Sequence, residues 1–399
     1  MRFNLWEDCN RVPLTELLSF IVDNRGKTVP TAPSGHKLIA TNCVTNNTLF
    51  PVYDKIRYLS EETYQTWFRA HPIPGDILFV NKGTPGRVCL VPDPVDFCIA
   101  QDMIALRADE SKIYPKYLFT VLRSREIQQQ IYNTNVGDVI PHFKKQFLDQ
   151  LLIPIPERSI QESIGDLYYV LSLKAERNKK INDNLQQQLF SLYENMATAS
   201  PCLKEYTLSN LCDFQEGYVN PPQTHPEYFD GEVKWLRAVD INESFIIETS
   251  RTLTKAGFES AKKSALLFEP NTIAISKSGT IGRLGIIADY MCGNRAVINI
   301  APHDTNMLAF IYCFLKSKQR EFPDMAVGSV QKNLYVSLLE PLSVSIPDNE
   351  SLTAFNAVGA SILGMIHNNC VENTDLANLR DTILPKLMSG EIDVSSVLL

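Results

Sequence analysis

The feature that most constrains the fold of this 399-residue chain is an internal repeat of roughly 190 residues. Residues 82–87 (KGTPGR) reappear as residues 278–283 (SGTIGR), so both copies contain the motif Gly-Thr-x-Gly-Arg. Further on, residues 136–139 (VGDV) match 327–330 (VGSV), and apolar runs end at Pro156 and Pro347, which stand 191 positions apart. Because each copy is long enough to bury its own core, the repeat predicts two domains of one architecture.

Each copy ends in a segment with the periodicity of a long helix. Spacings of three and four connect, in the first copy, Ile164, Leu167, Leu171, Lys174, Asn178, Ile181, Leu185, Gln188 and Leu192. At the same offset the second copy has Phe355, Val358, Ile362, Met365, Asn369, Glu372, Leu376, Leu379 and Ile383. The pattern is typical of a coiled coil, with an amphipathic helix on a globular core as the alternative. Polar residues in such a seam select register, and the candidates are Asn178, Asn182, Asn369 and Asn373.

The predicted organisation alternates globular domains with helices. Residues 1–156 and 201–347 are the two domains, residues 157–200 are the first long helix, and residues 348–399 are the second helix with a C-terminal tail. Strands are predicted at 77–80, 88–91, 272–275 and 284–287, and one short helix each at 115–131 and 307–322. The fold class is α+β: two mixed α/β domains in a tandem pseudo-two-fold repeat, separated by two long helices packed as an antiparallel coiled coil.

Composition and charge narrow the class of protein. Apolar residues make up 44% of the chain and charged residues 21%, as in ordinary folded proteins. The nine cysteines are odd in number and form no Cys-x-x-Cys pair, so we expect neither a disulfide framework nor a zinc site. No apolar run is long enough for a bilayer, and residues 1–8 lack a signal-peptide core, which predicts a cytoplasmic protein. The net charge is −7, but residues 348–399 alone carry seven acidic and two basic side chains.

Two motifs that invite an enzymatic interpretation are incomplete. Residues 25–28 (RGKT) resemble the end of a phosphate-binding Walker loop, yet position 21 is isoleucine where that loop requires glycine. Residues 220–223 (NPPQ) resemble the Asn-Pro-Pro-aromatic motif of amino-group DNA methyltransferases, but Gln223 cannot stack on a flipped base. The six histidines show no metal-ligand spacing. We therefore expect no catalytic residue and no metal site.

The repeated Gly-Thr-x-Gly-Arg loops are better candidates for ligand binding. Glycines let backbone N–H groups approach a phosphate, a threonine hydroxyl can donate to it, and Lys82, Lys277, Arg87 and Arg283 supply positive charge. The alternative is a tight turn whose charges are solvated. A shared scaffold turn would be duplicated as well, so the repeat itself does not decide between the two.

The arrangement resembles the specificity subunits of Type I restriction-modification systems. Three segments carry the resemblance: residues 152–157 (LIPIPE) followed by Gln161 and a helix, residues 328–334 (GSVQKNL), and the tail at 379–392 (LRDTILPKLMSGEI). In that family, two target recognition domains are each followed by a long helix of an antiparallel coiled coil. The first copy has GDVIP at 137–141 where the second has GSVQK at 328–332, a departure that leaves the contact residues open.

The resemblance implies a non-catalytic subunit that reads a bipartite site in double-stranded DNA. Its partners would be two modification subunits, which use S-adenosylmethionine to methylate adenine, and restriction subunits, which use ATP and magnesium. Phosphate contacts would supply affinity and base contacts in the major groove would supply specificity. The candidate DNA-binding residues are Lys82, Thr84, Arg87 and Lys144 in the first domain and Tyr218, Gln223, Lys277, Thr280, Arg283, Gln331 and Lys332 in the second. The alternatives are a coiled-coil scaffold that binds only protein, and a stand-alone DNA-modifying enzyme.

Overall fold

The computed structural model describes residues 4–24, 27–134, 141–199, 204–328 and 331–392. Three segments discussed above lie wholly or partly outside the described residues: 25–26 of the RGKT motif, 136–139, and 329–330 of the matching VGSV segment. Contacts divide the chain into two units. One consists of Met1–Arg177 with Asp375–Leu399, and the other of Asn178–Thr374.

The first unit is built on a four-stranded, a three-stranded and a two-stranded sheet. Its strands are β1 (Asn10–Pro13), β2 (Leu18–Val22), β3 (His36–Ile39), β4 (Arg57–Leu59), β5 (Ile77–Val80), β6 (Val88–Leu90), β7 (Phe97–Ile99), β8 (Met103–Ala108) and β9 (Leu152–Ile155). Its short helices are α1 (Leu5–Asp8), α2 (Glu61–Thr66), α3 (Pro115–Leu122) and α4 (Arg125–Thr134). The strand orders are β2-β8-β5-β6, β4-β3-β7 and β1-β9. The main core packs α3 on the larger sheet through Phe79, Tyr117 and Phe119.

The second unit has the same kind of construction. After helix α5 (Arg158–Ala199), its strands are β10 (Lys204–Thr207), β11 (Cys212–Glu216), β12 (Phe229–Leu236), β13 (Phe245–Ile246), β14 (Thr252–Leu253), β15 (Leu267–Phe268), β16 (Ile273–Ser276), β17 (Leu284–Ile287), β18 (Met291–Gly293), β19 (Val297–Pro302) and β20 (Ser343–Ile346). Its helices are α6 (Lys255–Glu259), α7 (Leu308–Lys318), α8 (Phe322–Met325), α9 (Val336–Leu339) and the start of α10 (Asn349–Met388). The strand orders are β11-β19-β16-β17-β13, β14-β12-β18-β15 and β10-β20.

Both predicted short helices are interrupted. In the first unit, α3 stops before Arg123, whose guanidinium donates to the carbonyls of Thr45 (3.2 Å) and Val88 (2.7 Å), and Ser124 then caps α4. In the second unit, α7 ends at Lys318 and α8 starts at Phe322 with Pro323 in its first turn. Proline lacks the N–H needed inside a helix, so a break is expected there.

The two long helices are 42 and 40 residues in length. In the second unit they run antiparallel, because Asn178 donates to Asn373 while Tyr193, further along α5, contacts Phe355 near the start of α10. In the first unit, Arg380 of α10 lies over the ring of Tyr168 of α5, 5.5 Å from its centroid. The division between the units falls inside both helices, after Arg177 and after Thr374.

Part of the predicted helical seam is exposed. The exposed seam residues are Lys174, Ile181, Gln188 and Leu192 in α5 and Val358, Met365 and Leu379 in α10, whereas Leu167 and Glu372 of the same seam are half-buried. Buried or half-buried side chains also occur with a four-three spacing at positions 164, 168, 171, 175, 178, 182, 185 and 189 of α5, and they recur 191 positions later in α10. The three-four spacing that was predicted therefore describes the buried face only in part.

The boundaries at 156, 200 and 347 stay predictions about domains. The structure starts the long helices at Arg158 and Asn349, and it groups their residues by contacts in a different way. Within the described part of the chain, no helix is long and apolar enough to cross a membrane.

Candidate nucleic-acid interface

The repeated motif forms two hairpin loops, one between β5 and β6 and the other between β16 and β17. In the first loop, the Gly86 N–H donates to the Val80 carbonyl (3.0 Å), and in the second the Gly282 N–H donates to the Ser276 carbonyl (2.9 Å). A second backbone hydrogen bond closes each loop. The Val80 N–H donates to the Arg87 carbonyl, and the Ser276 N–H donates to the Arg283 carbonyl, both at 2.9 Å. The two copies are thus closed by equivalent backbone bonds.

The four glycines of these loops have two different tasks. All four adopt positive φ, with 84° at Gly83, 89° at Gly86, 78° at Gly279 and 84° at Gly282. A Cβ at Gly83 or Gly279 would meet nothing within 4 Å, so only the backbone conformation demands glycine there. A Cβ at Gly86 would lie 2.9 Å from the amide oxygen of Gln128, and one at Gly282 would lie 2.9 Å from the Phe322 Cβ. The second glycine therefore lets each hairpin pack closely on a helix.

A glutamine holds each loop, and the sequence reasoning missed both. Gln128 Nε2 donates to the Gly86 carbonyl (2.8 Å), and Gln319 Nε2 donates to the Gly282 carbonyl (2.9 Å). The two glutamines stand 191 positions apart, which is the offset of the repeat, so a search for matching polar residues could have found them. These bonds favour the scaffold-turn interpretation of the loop backbone.

A second segment joins each loop through backbone hydrogen bonds. In the first unit, Gly83 N–H donates to the Pro141 carbonyl (2.9 Å) and Phe143 N–H to the Asn81 carbonyl (2.8 Å). In the second unit, Leu334 N–H donates to the Lys277 carbonyl (2.9 Å). The chain just before Lys144 and just after Lys332 is therefore held against the repeated loops.

The DNA-binding candidates of the first domain lie at the edge formed by the repeated loop and the segment bonded to it. Their charged groups are accessible. Lys82, Arg87 and Lys144 are exposed, and Thr84 is half-buried. Lys82 Nζ lies 4.0 Å from Asp102 Oδ1. Within the described residues, Arg87 and Lys144 form no ion pair, so both side chains are available to an external anion.

Four DNA-binding candidates of the second domain lie at the corresponding edge, around the loop at 277–283 and the segment bonded to it. Thr280, Gln331 and Lys332 are exposed and Arg283 is half-buried. Neither Arg283 nor Lys332 forms an ion pair with another residue that the structure describes. The turn that carries Gln331 and Lys332 is closed by reciprocal backbone bonds between Val327 and Asn333.

Lys277 lies in a different environment from the other candidate cations. Its Nζ donates to Glu216 Oε2 (2.8 Å) and lies 4.8 Å from the centroid of the Tyr335 ring. The same carboxylate accepts from the hydroxyl of Tyr218 (3.0 Å), and this hydrogen bond raises the pKa of Tyr218. The side chain of Lys277 is only 13% exposed. A phosphate would have to displace Glu216 to reach it, whereas the half-exposed ring of Tyr218 is directly accessible.

Gln223 lies on a different part of the second domain. Its amide oxygen accepts from Arg251 Nη1 (2.9 Å), and the same guanidinium lies 4.1 Å from the centroid of the Phe229 ring. No described contact links Gln223 with the loop at 277–283. The structure thus separates it from the other second-domain candidates.

The four asparagines chosen as register residues meet each other in the second unit. Asn178 Nδ2 donates to Asn373 Oδ1 (3.0 Å) and to Glu372 Oε2 (2.7 Å). Asn369 Nδ2 donates to Asn182 Oδ1 (2.7 Å). Asn178 and Asn182 are buried, so these hydrogen bonds satisfy amides that would otherwise lack partners inside the helix pair.

The remaining reactive side chains are arranged as parts of the core. Burial raises the pKa of Cys98, Cys212, Cys292 and Cys313 to about 12, which leaves them as neutral thiols. Burial also lowers the pKa of His71, whose ring stacks on Tyr64 at 4.2 Å. Among the residues that the structure describes, no group of three His, Cys, Asp or Glu side chains could hold a metal ion.

Comparison with protein families gives two matches along the chain. Residues 19–187 and residues 203–374 each match the family described as the Type I restriction modification DNA specificity domain. The two matched segments together cover most of the 399 residues, and each contains one Gly-Thr-x-Gly-Arg loop.

Individual relatives are distant in sequence. The chain is 21% identical over 400 residues to the Type I restriction enzyme HindI specificity subunit of Haemophilus influenzae, covering 80% of this chain and 86% of that protein. It is 21% identical over 345 residues to the Type I restriction enzyme MjaIX specificity subunit of Methanocaldococcus jannaschii, covering 81% and 79%. The crystal structure of the Type I restriction-modification S subunit from M. genitalium shares the fold, with a TM-score of 0.56, 18% identity and coverage of 97% and 98%.

Proposed function

The chain belongs to the Type I restriction-modification DNA specificity family, and we propose that it is the DNA-reading subunit of such a complex. Each of its two recognition domains reads one half of a bipartite site in double-stranded DNA. The observation that carries this function is the double family match, one in each copy of the repeat. The subunit supplies recognition, and its partner subunits supply the chemistry.

The edges around the repeated loops support the proposed phosphate contacts. Exposed Lys82, Arg87 and Lys144 on the first domain and exposed Lys332 on the second offer cations to the DNA backbone. Thr280 and Gln331 are exposed on the same edge and carry hydrogen-bonding groups suited to phosphate or base contacts. The assignment of individual residues to phosphates or bases is part of the proposal.

The long helices offer the surface for the modification subunits. Apolar side chains remain exposed along both, including Ile181 (47%) and Leu192 (41%) on α5 and Val358 (48%) and Met365 (45%) on α10. Large apolar side chains exposed in a row mark interaction surfaces. Two modification subunits, and through them the restriction subunits, would assemble on this specificity subunit.

The cofactors of the reaction belong, in this proposal, to the partners. The modification subunits bind S-adenosylmethionine and methylate adenine, and the restriction subunits bind ATP and magnesium. The complex acts in the cytoplasm. Eight described cysteines are free thiols, which fits a reducing compartment.

The test is to co-express this chain with its cognate modification subunit in a host without DNA methylation and to map modified adenines by long-read sequencing. The proposal expects one bipartite motif that appears only when this chain is present. A stable complex that binds the methyl donor but modifies no motif would contradict it and would favour a scaffold that binds only protein. Methylation by this chain alone would contradict the assignment of the chemistry to the partners.

A further inference from the structure

The turn after the parallel-paired strand occupies the same position in both recognition domains. In the first domain, β3 pairs in parallel with β7, and Leu38 lies opposite Cys98. In the second, β12 pairs in parallel with β18, and Trp235 lies opposite Cys292. Cys98 and Cys292 are therefore equivalent, 194 positions apart.

A hydrogen bond to the repeated loop confirms this equivalence. Asn81 N–H donates to the Asp102 carbonyl (3.0 Å), and Lys277 N–H donates to the Ala296 carbonyl (2.7 Å). Asp102 and Ala296 also stand 194 positions apart. Both turns thus lie directly beside the loops that carry the proposed phosphate contacts.

At the residue that precedes the accepting carbonyl of this bond, the two domains differ in side-chain chemistry. The first domain has Gln101 and the second has Arg295. A repeated architecture that carries different polar groups at equivalent positions beside the loops is suited to two domains with different DNA half-sites. A scaffold position would instead keep one type of residue, as Gln128 and Gln319 do beside the same loops.

Gln101 lies at a small cavity with an unused acceptor. The cavity has a volume of about 60 Å³, and its lining includes Thr41, Arg57, Gln101 and Asp102. The Oε1 atom of Gln101 is buried and accepts no hydrogen bond from any described residue. A buried carbonyl oxygen without a donor is unfavourable, so a donor from outside the chain, either a water or a ligand N–H group, would stabilise it.

Arg295 is exposed, and no described residue pairs with its guanidinium. A second arginine occupies an equivalent place in the strand pairing of each domain. Arg57 of β4 lies opposite Leu38, and Arg251 precedes Thr252, which lies opposite Lys234 in the corresponding strand pair. Arg57 lines the same cavity as Gln101 and is suited to a contact with the DNA backbone, and Arg251 stands 194 positions later in the sequence, at the offset that also relates Gln101 to Arg295.

We propose that Gln101 and Arg295 are the specificity-determining residues at equivalent positions of the two recognition domains, Gln101 reading an adenine and Arg295 a guanine. The inference rests on the proposed function of the chain. A glutamine amide can accept from N6 and donate to N7 of adenine, and an arginine can donate to O6 and N7 of guanine. Gln101 is half-buried, so its amide has to turn outward for the unused Oε1 to accept from the N6 amino group of adenine.

The test uses the complete complex and maps methylated motifs for the variants Gln101→Ala and Arg295→Ala. Gln101→Ala should relax the requirement for one adenine in one half-site, and Arg295→Ala should relax one guanine in the other half-site. Discrimination against the other bases at that position should decrease by a factor of about five to about one hundred, as expected for the loss of one bidentate contact. The variant Gln101→Arg, which keeps a long polar side chain, should shift the preference at the same position from adenine toward guanine.

Matched controls are Gln65→Ala on α2 and Lys255→Ala on α6, both exposed in the same domains and distant in sequence from the turn. Both should keep the parental motif. An unchanged motif in Gln101→Ala and Arg295→Ala would overturn the inference and leave the proposed function intact. A uniform loss of methylation at all sites would also overturn it, because that result indicates an affinity or folding role. Absence of any motif with the parental chain would instead refute the proposed function itself.

Discussion

At the scale of single residues, the repeated motif separates into groups that maintain the hairpin and groups that face outward. Gly86 and Gly282 pack on helices, and Gln128 and Gln319 bind the carbonyls of those glycines. Arg87 is exposed, and no described residue forms an ion pair with it. A motif that appears uniform in sequence is therefore partly scaffold and partly interface.

The two glycines of the second loop should differ in their tolerance of a methyl group. Gly279→Ala should cost only the strain of a positive φ, about 1 kcal/mol in the free energy of unfolding. Gly282→Ala carries the same strain and also places its Cβ 2.9 Å from the Phe322 Cβ, so its cost should be larger by about 1–3 kcal/mol. Chemical denaturation of both variants measures the difference. Equal destabilisation would show that the close packing of this hairpin does not matter.

Removal of exposed Lys332 and of ion-paired Lys277 should affect the salt dependence of DNA binding differently. Lys332→Ala removes an exposed charge, so the slope of log K for DNA against log salt should become shallower by about 0.9 for the lost phosphate contact. Lys277→Met removes a cation that Glu216 already neutralises, so the slope should stay the same while the stability of the domain falls. Binding of the complete complex to its site at several salt concentrations checks both. A reduced slope for Lys277→Met would mean that DNA displaces the ion pair.

At the scale of elements, the sequence predicts the long helices and the paired loops but not the exact face that each helix buries. Ile181 and Met365 were assigned to the seam because they are apolar, whereas the buried neighbours are Asn182 and Ile366. Both apolar positions are exposed in this chain alone, and an amphipathic pattern does not reveal which partner an apolar residue contacts. The loop contacts of Lys277 were likewise hidden, because Glu216 lies 61 positions away in the sequence.

The asparagine pair in the helix seam can be tested by a double-mutant cycle. Asn182→Leu alone removes the acceptor of Asn369 and should destabilise the second unit by about 1–3 kcal/mol. The double variant Asn182→Leu, Asn369→Leu removes both partners, so it should recover most of that loss. Unfolding of the four proteins gives the coupling energy. Additive losses would mean that the pair contributes nothing to the packing of the helices.

The exposed apolar positions of the helices should matter for assembly rather than for folding. Ile181→Glu and Met365→Glu should weaken binding of the modification subunit by at least about tenfold, because each places a charge in a contact that excludes water. Their effect on the melting temperature of the isolated chain should be small. Gln188→Glu, an exposed polar position on α5, is the control. Unchanged affinity in both Ile181→Glu and Met365→Glu would place the partner elsewhere.

At the scale of the whole molecule, duplication explains how one chain reads two different half-sites. The equivalent strands, loops and caps hold the two domains to one architecture, down to Ser60 and Thr254 as the N-caps of α2 and α6. The sequence alone revealed this plan because the repeat survives in the loops and in the helix spacing. It did not point to Gln101 and Arg295, the residues proposed to read bases, since positions that differ between the copies carry no repeat signal.

The most direct test of the account is to replace residues 1–156 with the first domain of another family member and to map the methylated motif of the assembled complex. Modular reading predicts that one half of the bipartite motif changes to that of the donor, while the other half and the spacer length stay the same. A motif that changes in both halves, or in neither half, would contradict the claim that each domain reads its own half-site.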